Sequence, residues 1–413
     1  MAPLVSTIIA TYNRAGLVCE AIESALAQTY PALEILVVDD GSEDDTRDRI
    51  ARRFGGPGGE RDRRVRVLHQ DNAGPSVARN LGVAQARGEL IAFLDSDDAW
   101  APGKIERQVI LLQREPGLAY AYTRCGEMEP DGARTGRIYG RTGAGHTGWN
   151  FPAVLQGSPV ILPALMLWRR VFERIGGFDT RIDIGEDTSF LLRLAMDHRG
   201  GYLPETLAWV RCHPGRKTLE DRSAGKNHRS RVYLLTRLLT EMGPEHALRR
   251  MVAGRLVSAH IARTVSRGRD RAWPGFCAIL LEDAGELREH VGDPELAGFV
   301  AGSLFGWLRG ARDRSAIGPA EFAGWVEALR RQLASQPAIQ PAIQPIWQSH
   351  LHAALAWHAM RSREIAMARY VAPRALRDPR AMAAVVRAEG QRLAEPRLVG
   401  VRQRLGWRGV QPP

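Results

Sequence analysis

"LIAFLDSDDAW", residues 90–100, runs a continuous apolar segment straight into three carboxylates, Asp95, Asp97 and Asp98. Leu90–Leu94 reads as a short buried strand. The acids therefore sit where a strand leaves the core, and like charges this close repel unless something cationic joins them. An isolated D-x-D is no more than a solvated turn, so its surroundings decide what this one means.

Outward from that stretch, the first hundred residues alternate between two periods. "LVSTIIA" (4–10) is a strand candidate, and Leu17, Val18, Ala21, Ile22, Ala25 and Leu26 then recur at helical spacing. "PALEILVVDD" (31–40) returns to strand, "RVRVLH" (64–69) alternates as a third, and "SVARNLGVAQARG" (76–88) predicts a helix stopped by Gly88. Repeated strand–helix–strand order implies parallel pairing with right-handed crossovers, a doubly wound α/β sheet. Such sheets bind ligands beyond the carboxyl ends of their strands. The polar clusters fall there: "TYNR" (11–14), Asp39-Asp40-Gly41-Ser42, "QDNAGPS" (70–76) and Asp95-Ser96-Asp97-Asp98.

Past residue 126 a stretch rich in Gly and turn formers predicts a hairpin or mobile loop. An apolar strand, a short helix, a Gly-Gly turn and an amphipathic helix opened by acids follow, in "LMLWRRVFERIGGFDTRIDIGEDTSFLLRLAMDHRG" (165–200). Beyond about residue 225 the apolar residues keep helical spacing: Leu235, Leu238, Leu239 and Met242, then Leu248, Met251, Val252 and Leu256, then "LHAALAWHAM" (351–360) and "DPRAMAAVVRAEGQRLA" (378–394). "QPAIQPAIQP" (336–345) repeats a tetrapeptide and reads as a linker, about 335–346. The expected organisation is an α/β domain over 1–225 and an all-α accessory region over 226–413.

At 413 residues the chain can bury more than one core without staples. Its four cysteines are far apart and make no C-x-x-C pair, which argues against a zinc ribbon or disulfide scaffold and fits a reducing cytosol. The N-terminus lacks the pattern of a signal peptide, and the longest apolar runs are too short to span a bilayer, so a soluble, cytoplasmic protein is expected. Residues 1–200 carry 24 Lys/Arg against 27 Asp/Glu, whereas 201–413 carry 33 against 19. The basic half suits a solvated helical surface, an anionic membrane face or an acidic acceptor. No zinc finger, basic zipper or aromatic RNA-binding signature points to nucleic acid.

Taken together, "VSTIIATYNR", "ILVVDDGSEDDT", "NAGPSVARNLGVAQARGELIAFLDSDDAW" and "GGFDTRIDIGEDTSFLLRL" resemble the family 2 glycosyltransferases with the GT-A fold, over roughly residues 3–215. Ala10 stands where that family usually has proline before "TYN". The resemblance implies a GT-A domain, a Rossmann-like, mostly parallel sheet flanked by helices. It implies an inverting transfer from a nucleoside-diphosphate sugar, UDP- or dTDP-linked, to a hydroxyl of a glycan, lipid-linked glycan or natural product. A divalent ion, Mn²⁺ or Mg²⁺, held by oxygen ligands would neutralise the departing diphosphate.

By resemblance Asp97 contacts the metal, and Asp95 serves the ribose or the metal through water. Thr11 and Tyr12 line the nucleoside pocket, Asp40 accepts a hydrogen bond from the base, and Arg79 approaches the donor. Asp187 is the base and Glu186 its neighbour orienting the acceptor; helix capping is the structural alternative for this pair. His213 in "WVRCHPGRK" (209–217) reaches the diphosphate or metal, and Arg211, Arg216 and Lys217 are candidates to neutralise phosphate. Asp39 and Asn80 read as architectural, Asp98 as a cap or a site residue, and Trp149 and Trp168 as core or as sugar-stacking rings. The competing readings are a peptide glycosyltransferase with a helical acceptor-binding region, a glycoside hydrolase, and a non-catalytic nucleotide-sugar-binding scaffold. Peripheral membrane contact and a homodimer through the helices are further expectations.

Overall fold

The structure is a computed structural model that describes residues 2–303 apart from 56–61, 183, 214–225, 244, 269–272, 293–295, 297, 298 and 301. The expected linker at 335–346, the helical patterns at 351–360 and 378–394, and Arg216 and Lys217 lie outside the described residues. The chain separates into two compact units, 1–224 and 225–413.

The first unit begins with β1 (Val5–Thr11), α1 (Val18–Leu26), β2 (Leu33–Asp39), α2 (Thr46–Ile50), β3 (Val65–His69), α3 (Pro75–Ala84) and β4 (Leu90–Phe93). Next come β5 (Ala99–Trp100), α4 (Lys104–Arg114), β6 (Tyr120–Met128), β7 (Arg134–Ile138) and β8 (Gly148–Trp149). The unit closes with α5 (Phe151–Gly157), β9 (Leu165–Trp168), α6 (Arg169–Arg174), α7 (Glu186–Asp197) and β10 (Arg199–Arg211). One mixed sheet runs β3-β2-β1-β4-β9-β6-β10-β5, with β7 on β6 and β8 on β10. The first four strands are all parallel, as the alternation of periods predicts, and every residue of β2 and β4 is buried. α1 turns Val18, Ala21, Ile22 and Ala25 onto the sheet, the helical stripe visible in the sequence.

Two registers place the site. Thr11 lies opposite Asp39, and Asp39 opposite His69, so three strands end level. After the acids that follow β4, β5 pairs antiparallel with Ala208 and Trp209 of β10, bringing the end of that strand to the same loop.

Two differences from expectation have physical causes. The helix predicted over 76–88 ends at Ala84. Gly88 lies beyond it because a Cβ there would meet Ser6 Oγ at 2.6 Å and Leu4 O at 2.7 Å, so glycine permits a close pass against β1. β10, the longest strand, gives no periodic signal in the sequence. Its register shifts between Leu203 and Thr206 and again between Thr206 and Ala208, around Pro204, and each irregularity breaks the two-residue alternation. The hairpin expected past residue 126 is β6–β7.

In the second unit the described residues form α8 (Lys226–Glu241), α9 (Arg249–Gly268) and α10 (Trp273–Arg288). Leu235, Leu238, Leu239, Met242, Val252 and Leu256 are buried, which is the stripe the spacing predicts. No helix among the described residues is long and apolar enough to cross a membrane.

Candidate active site

The acids of the DSDD turn are held in fixed directions. Asp98 is buried and its Oδ1 accepts the Arg211 backbone N–H at 2.9 Å, while its own N–H donates to the Asp95 carbonyl at 3.1 Å and closes the turn. Asp98 therefore serves the architecture. Asp97 points the other way: its Oδ2 lies 3.1 Å from His213 Nε2 and 3.8 Å from Arg14 Nε. Asp95 pairs with Arg79, whose Nη2 donates to Oδ1 at 2.9 Å.

Arg79 is the hub. It rises from α3, only 9% exposed, and its Nη1 donates to Glu186 Oε1 at 3.0 Å at the start of α7. A buried guanidinium is costly unless its charge and N–H groups are paired. Here two carboxylates from segments far apart in sequence supply that pairing, and the Phe178 ring lies 5.4 Å from the guanidinium carbon. Burial alone disfavours the Arg79 cation, but Asp95 and Glu186 outweigh it, so its pKa rises above the ordinary value. Burial is also the largest influence on Asp95 and raises its carboxyl, with Arg79 opposing.

Asp187 sits beside Glu186 in the first turn of α7, half-buried, with Oδ1 accepting the Thr188 backbone N–H at 2.6 Å. Burial, then the Glu186 charge, pushes its carboxyl up to about 6, although Arg79 draws it down. The helix N-terminus favours acids here, yet a side chain kept near neutrality can also exchange a proton. Asn80 fixes the approach to this helix with a two-point clamp: Nδ2 donates to the Phe178 carbonyl at 2.8 Å and Oδ1 accepts the Phe178 N–H at 2.9 Å.

At the end of β2, Asp40 is 4% exposed and holds the 70–74 loop. Its Oδ1 accepts from Gln70 Nε2 at 2.6 Å and the Ala73 N–H at 2.9 Å, and its Oδ2 accepts the Gly74 N–H at 2.9 Å. Gly41 follows at φ +73°, with the Asn72 nitrogen 2.7 Å from where a Cβ would stand, so only glycine lets the two loops meet. Asp39 is a turn residue, bonded to the Ser42 N–H at 3.2 Å and His69 Nδ1 at 3.2 Å. Thr11 is buried with its hydroxyl unpaired, and the next residue, Tyr12, is 39% exposed.

The structure therefore gathers Asp95, Asp97, Arg79, Glu186, Asp187 and His213 around one turn, with Thr11, Tyr12 and Asp40 at the neighbouring strand ends. Arg14, the last residue of the "TYNR" cluster after β1, places a cation 3.8 Å from Asp97 Oδ2. Arg211 has the wrong place for a phosphate ligand. It is 2% exposed, and its guanidinium donates to the Asp97 and Pro130 carbonyls and to Glu20 Oε2. Trp149 stacks on Phe151 and donates Nε1 to the Met196 carbonyl at 3.0 Å, while Trp168 belongs to the sheet.

Asp97 and His213 suit a divalent cation chemically. They offer one hard oxygen and one imidazole nitrogen at a spacing two ligands of one ion can share, and leave further positions to phosphate and water oxygens. Among the described residues a second group, His260, Asp283 and Glu286, has ligand atoms within 4.8 Å of one another. Arg263 Nη2 contacts all three, at 3.4 Å from His260 Nδ1, 2.6 Å from Asp283 Oδ1 and against Glu286, so a protein cation already sits there.

Residues 6–166 match the family described as Glycosyl transferase family 2. Over those residues the chain is similar to a family 2 glycosyltransferase domain. Curated relatives match about half of the chain. An uncharacterized glycosyltransferase of Rickettsia felis is 34% identical over 217 residues, 52% of this chain and 34% of that protein. The chondroitin synthase of Pasteurella multocida is 30% identical over 197 residues, 47% of this chain and 19% of the synthase. The matches thus span about a third or less of these relatives' lengths. The crystal structure of S. aureus TarS 1-349 in complex with UDP-GlcNAc aligns with a TM-score of 0.55 at 16% identity, covering 78% of this chain and 92% of TarS 1-349. That likeness shows the GT-A fold.

Proposed function

We propose that the chain is an inverting glycosyltransferase that moves a sugar from a UDP- or dTDP-sugar to a hydroxyl of a glycan, a lipid-linked glycan or a natural product. The first unit carries the chemistry and the helical second unit is accessory to it. The observation that carries this reading is the Arg79 bridge. One guanidinium holds the donor-side acid Asp95 and the acceptor-side acid Glu186 at 2.9 and 3.0 Å, so Asp187 and the DSDD turn face a common space.

In the proposed reaction the acceptor oxygen attacks the anomeric carbon from the side opposite the diphosphate. The bond from that carbon to the diphosphate oxygen breaks, and its electron pair leaves with the nucleotide. Asp187 takes the acceptor proton; a carboxyl pushed up to about 6 suits a base working near neutral pH. Glu186, tied to Arg79, orients the acceptor beside it. Asp97 and His213 would hold a divalent ion, Mn²⁺ or Mg²⁺, with Asp95 reaching it through water. The ion supplies positive charge to the departing diphosphate. Arg14 stands 3.8 Å from Asp97 and adds a second cation on that side. Thr11, Tyr12 and Asp40 bound the nucleoside, with the exposed Tyr12 ring offering a stacking face.

Support for a polysaccharide acceptor comes from the chondroitin synthase relative, and support for a UDP-sugar donor from the TarS complex. The test is purified protein incubated with a panel of nucleoside-diphosphate sugars. Slow hydrolysis of one donor, or a thermal shift selective for its nucleotide, is expected. No interaction with any donor would refute the reading.

A further inference from the structure

We infer that Arg211 positions Asp97 and His213 toward each other, with Glu20 of α1 as its counter-ion. The inference rests on the donor-site reading above and names residues that neither touch the donor nor take part in proton transfer.

Arg211 is the last residue of β10 and one of the most deeply buried charged side chains, 2% exposed. Four of its N–H groups go to four different partners. Nε donates to the Asp97 carbonyl at 2.9 Å, Nη1 to the Pro130 carbonyl at 2.9 Å, and Nη2 to Glu20 Oε2 at 2.6 Å. Its backbone N–H donates to Asp98 Oδ1 at 2.9 Å. Two of these bonds grip the DSDD turn, one through the main chain of Asp97 and one through the side chain that closes the turn. His213 follows two residues later on the same strand end. One residue thus fixes the peptide that aims Asp97 and the start of the segment that aims His213, and their 3.1 Å separation is set between those two anchors.

The chemistry requires arginine. A planar guanidinium reaches three acceptors in different directions at once, whereas a lysine ammonium is a point charge on a flexible stem. An apolar side chain would leave the Asp97 and Pro130 carbonyls without these donors. The charge is balanced by Glu20, whose side chain is 52% exposed, so the ion pair runs from the turn out to the surface of α1. Groups that orient metal ligands without touching the metal typically contribute about 10–100-fold to metal affinity.

The experiment titrates Mn²⁺ into the full chain, followed by electron paramagnetic resonance, with and without UDP and with no acceptor present. The variants are Arg211→Lys and Glu20→Gln. Each should bind Mn²⁺ about 10–100-fold more weakly in the presence of UDP, with metal-free UDP affinity unchanged. A general loss of structure would instead lower both affinities together. Glu20→Gln keeps size and shape and carries the test should Arg211→Lys fail to fold. Unchanged Mn²⁺ affinity in a folded variant overturns the inference alone. A wild-type chain that binds UDP but no Mn²⁺ overturns the metal assignment, and the inference with it.

Discussion

Asp187→Asn removes one ionisable group from the half-buried start of α7 and keeps both its size and an acceptor for the Thr188 N–H, 2.6 Å from Oδ1. Burial and the Glu186 charge push the native carboxyl from 3.8 up to about 6. At about 1.4 kcal/mol for each tenfold change in proton affinity, ionising it costs the folded state up to about 3 kcal/mol more than the unfolded chain. Water that reaches a half-buried side chain screens part of this, leaving about 1–2 kcal/mol. The sign follows from the direction. A carboxyl whose folded value is raised stabilises the fold fully below its unfolded value of 3.8 and loses that contribution as pH rises through about 6. The amide has nothing to lose. The variant should therefore melt above wild type at about pH 8, by about 2–8 °C for a unit of this size, and the advantage should vanish near pH 4. Its turnover should fall by about 10²–10⁴. Scanning calorimetry across that pH range, beside a donor-consumption assay, reads both effects. Equal or lower melting at the higher pH, or an advantage independent of pH, refutes the burial argument. Wild-type transfer refutes the base.

Arg79→Met should destabilise the first unit by about 3–5 kcal/mol, because Asp95 and Glu186 then face each other without their shared cation. Adding Glu186→Gln should recover part of the loss in the same melting assay, and no recovery would mean the bridge is not what stabilises the cleft. EDTA should abolish donor turnover and added Mn²⁺ restore it, with His213→Ala raising the Mn²⁺ concentration needed for half-maximal rate; turnover indifferent to chelation removes Asp97 and His213 from the metal role. If the basic C-terminal half docks the protein on an acidic membrane face, it should float with anionic liposomes at low salt and be released as salt screens the contact. A chain that stays at the bottom of the gradient at low salt refutes membrane docking.

What could be read from the sequence was the part of the fold written in local pattern. Each of the first four strands carries its own local pattern, an apolar run in three and an alternation in β3, and the parallel order follows from the helices between them, so the level ends of Thr11, Asp39 and the DSDD turn were foreseeable. β10 was not, because Pro204 and two register shifts erase its alternation, and pairing with β6 and β5 defines it instead. The site divides along the same line. Its acids cluster within short motifs, since a turn at a strand end can display several of them to one ligand. The groups that hold them come from far away: the Arg79 guanidinium reaches Glu186 across 107 residues, and the Arg211 backbone N–H reaches Asp98 across 113. With 57 Lys and Arg in the chain, no spacing singles these two out. Charge balance does narrow the search, because three carboxylates within four residues cannot share a partly buried turn without cations supplied by the fold. An uncompensated acidic motif at the end of an apolar strand is therefore a statement about distant arginines as well as about a bound ion. In this protein Arg14, Arg79 and Arg211 each meet that turn from a different element.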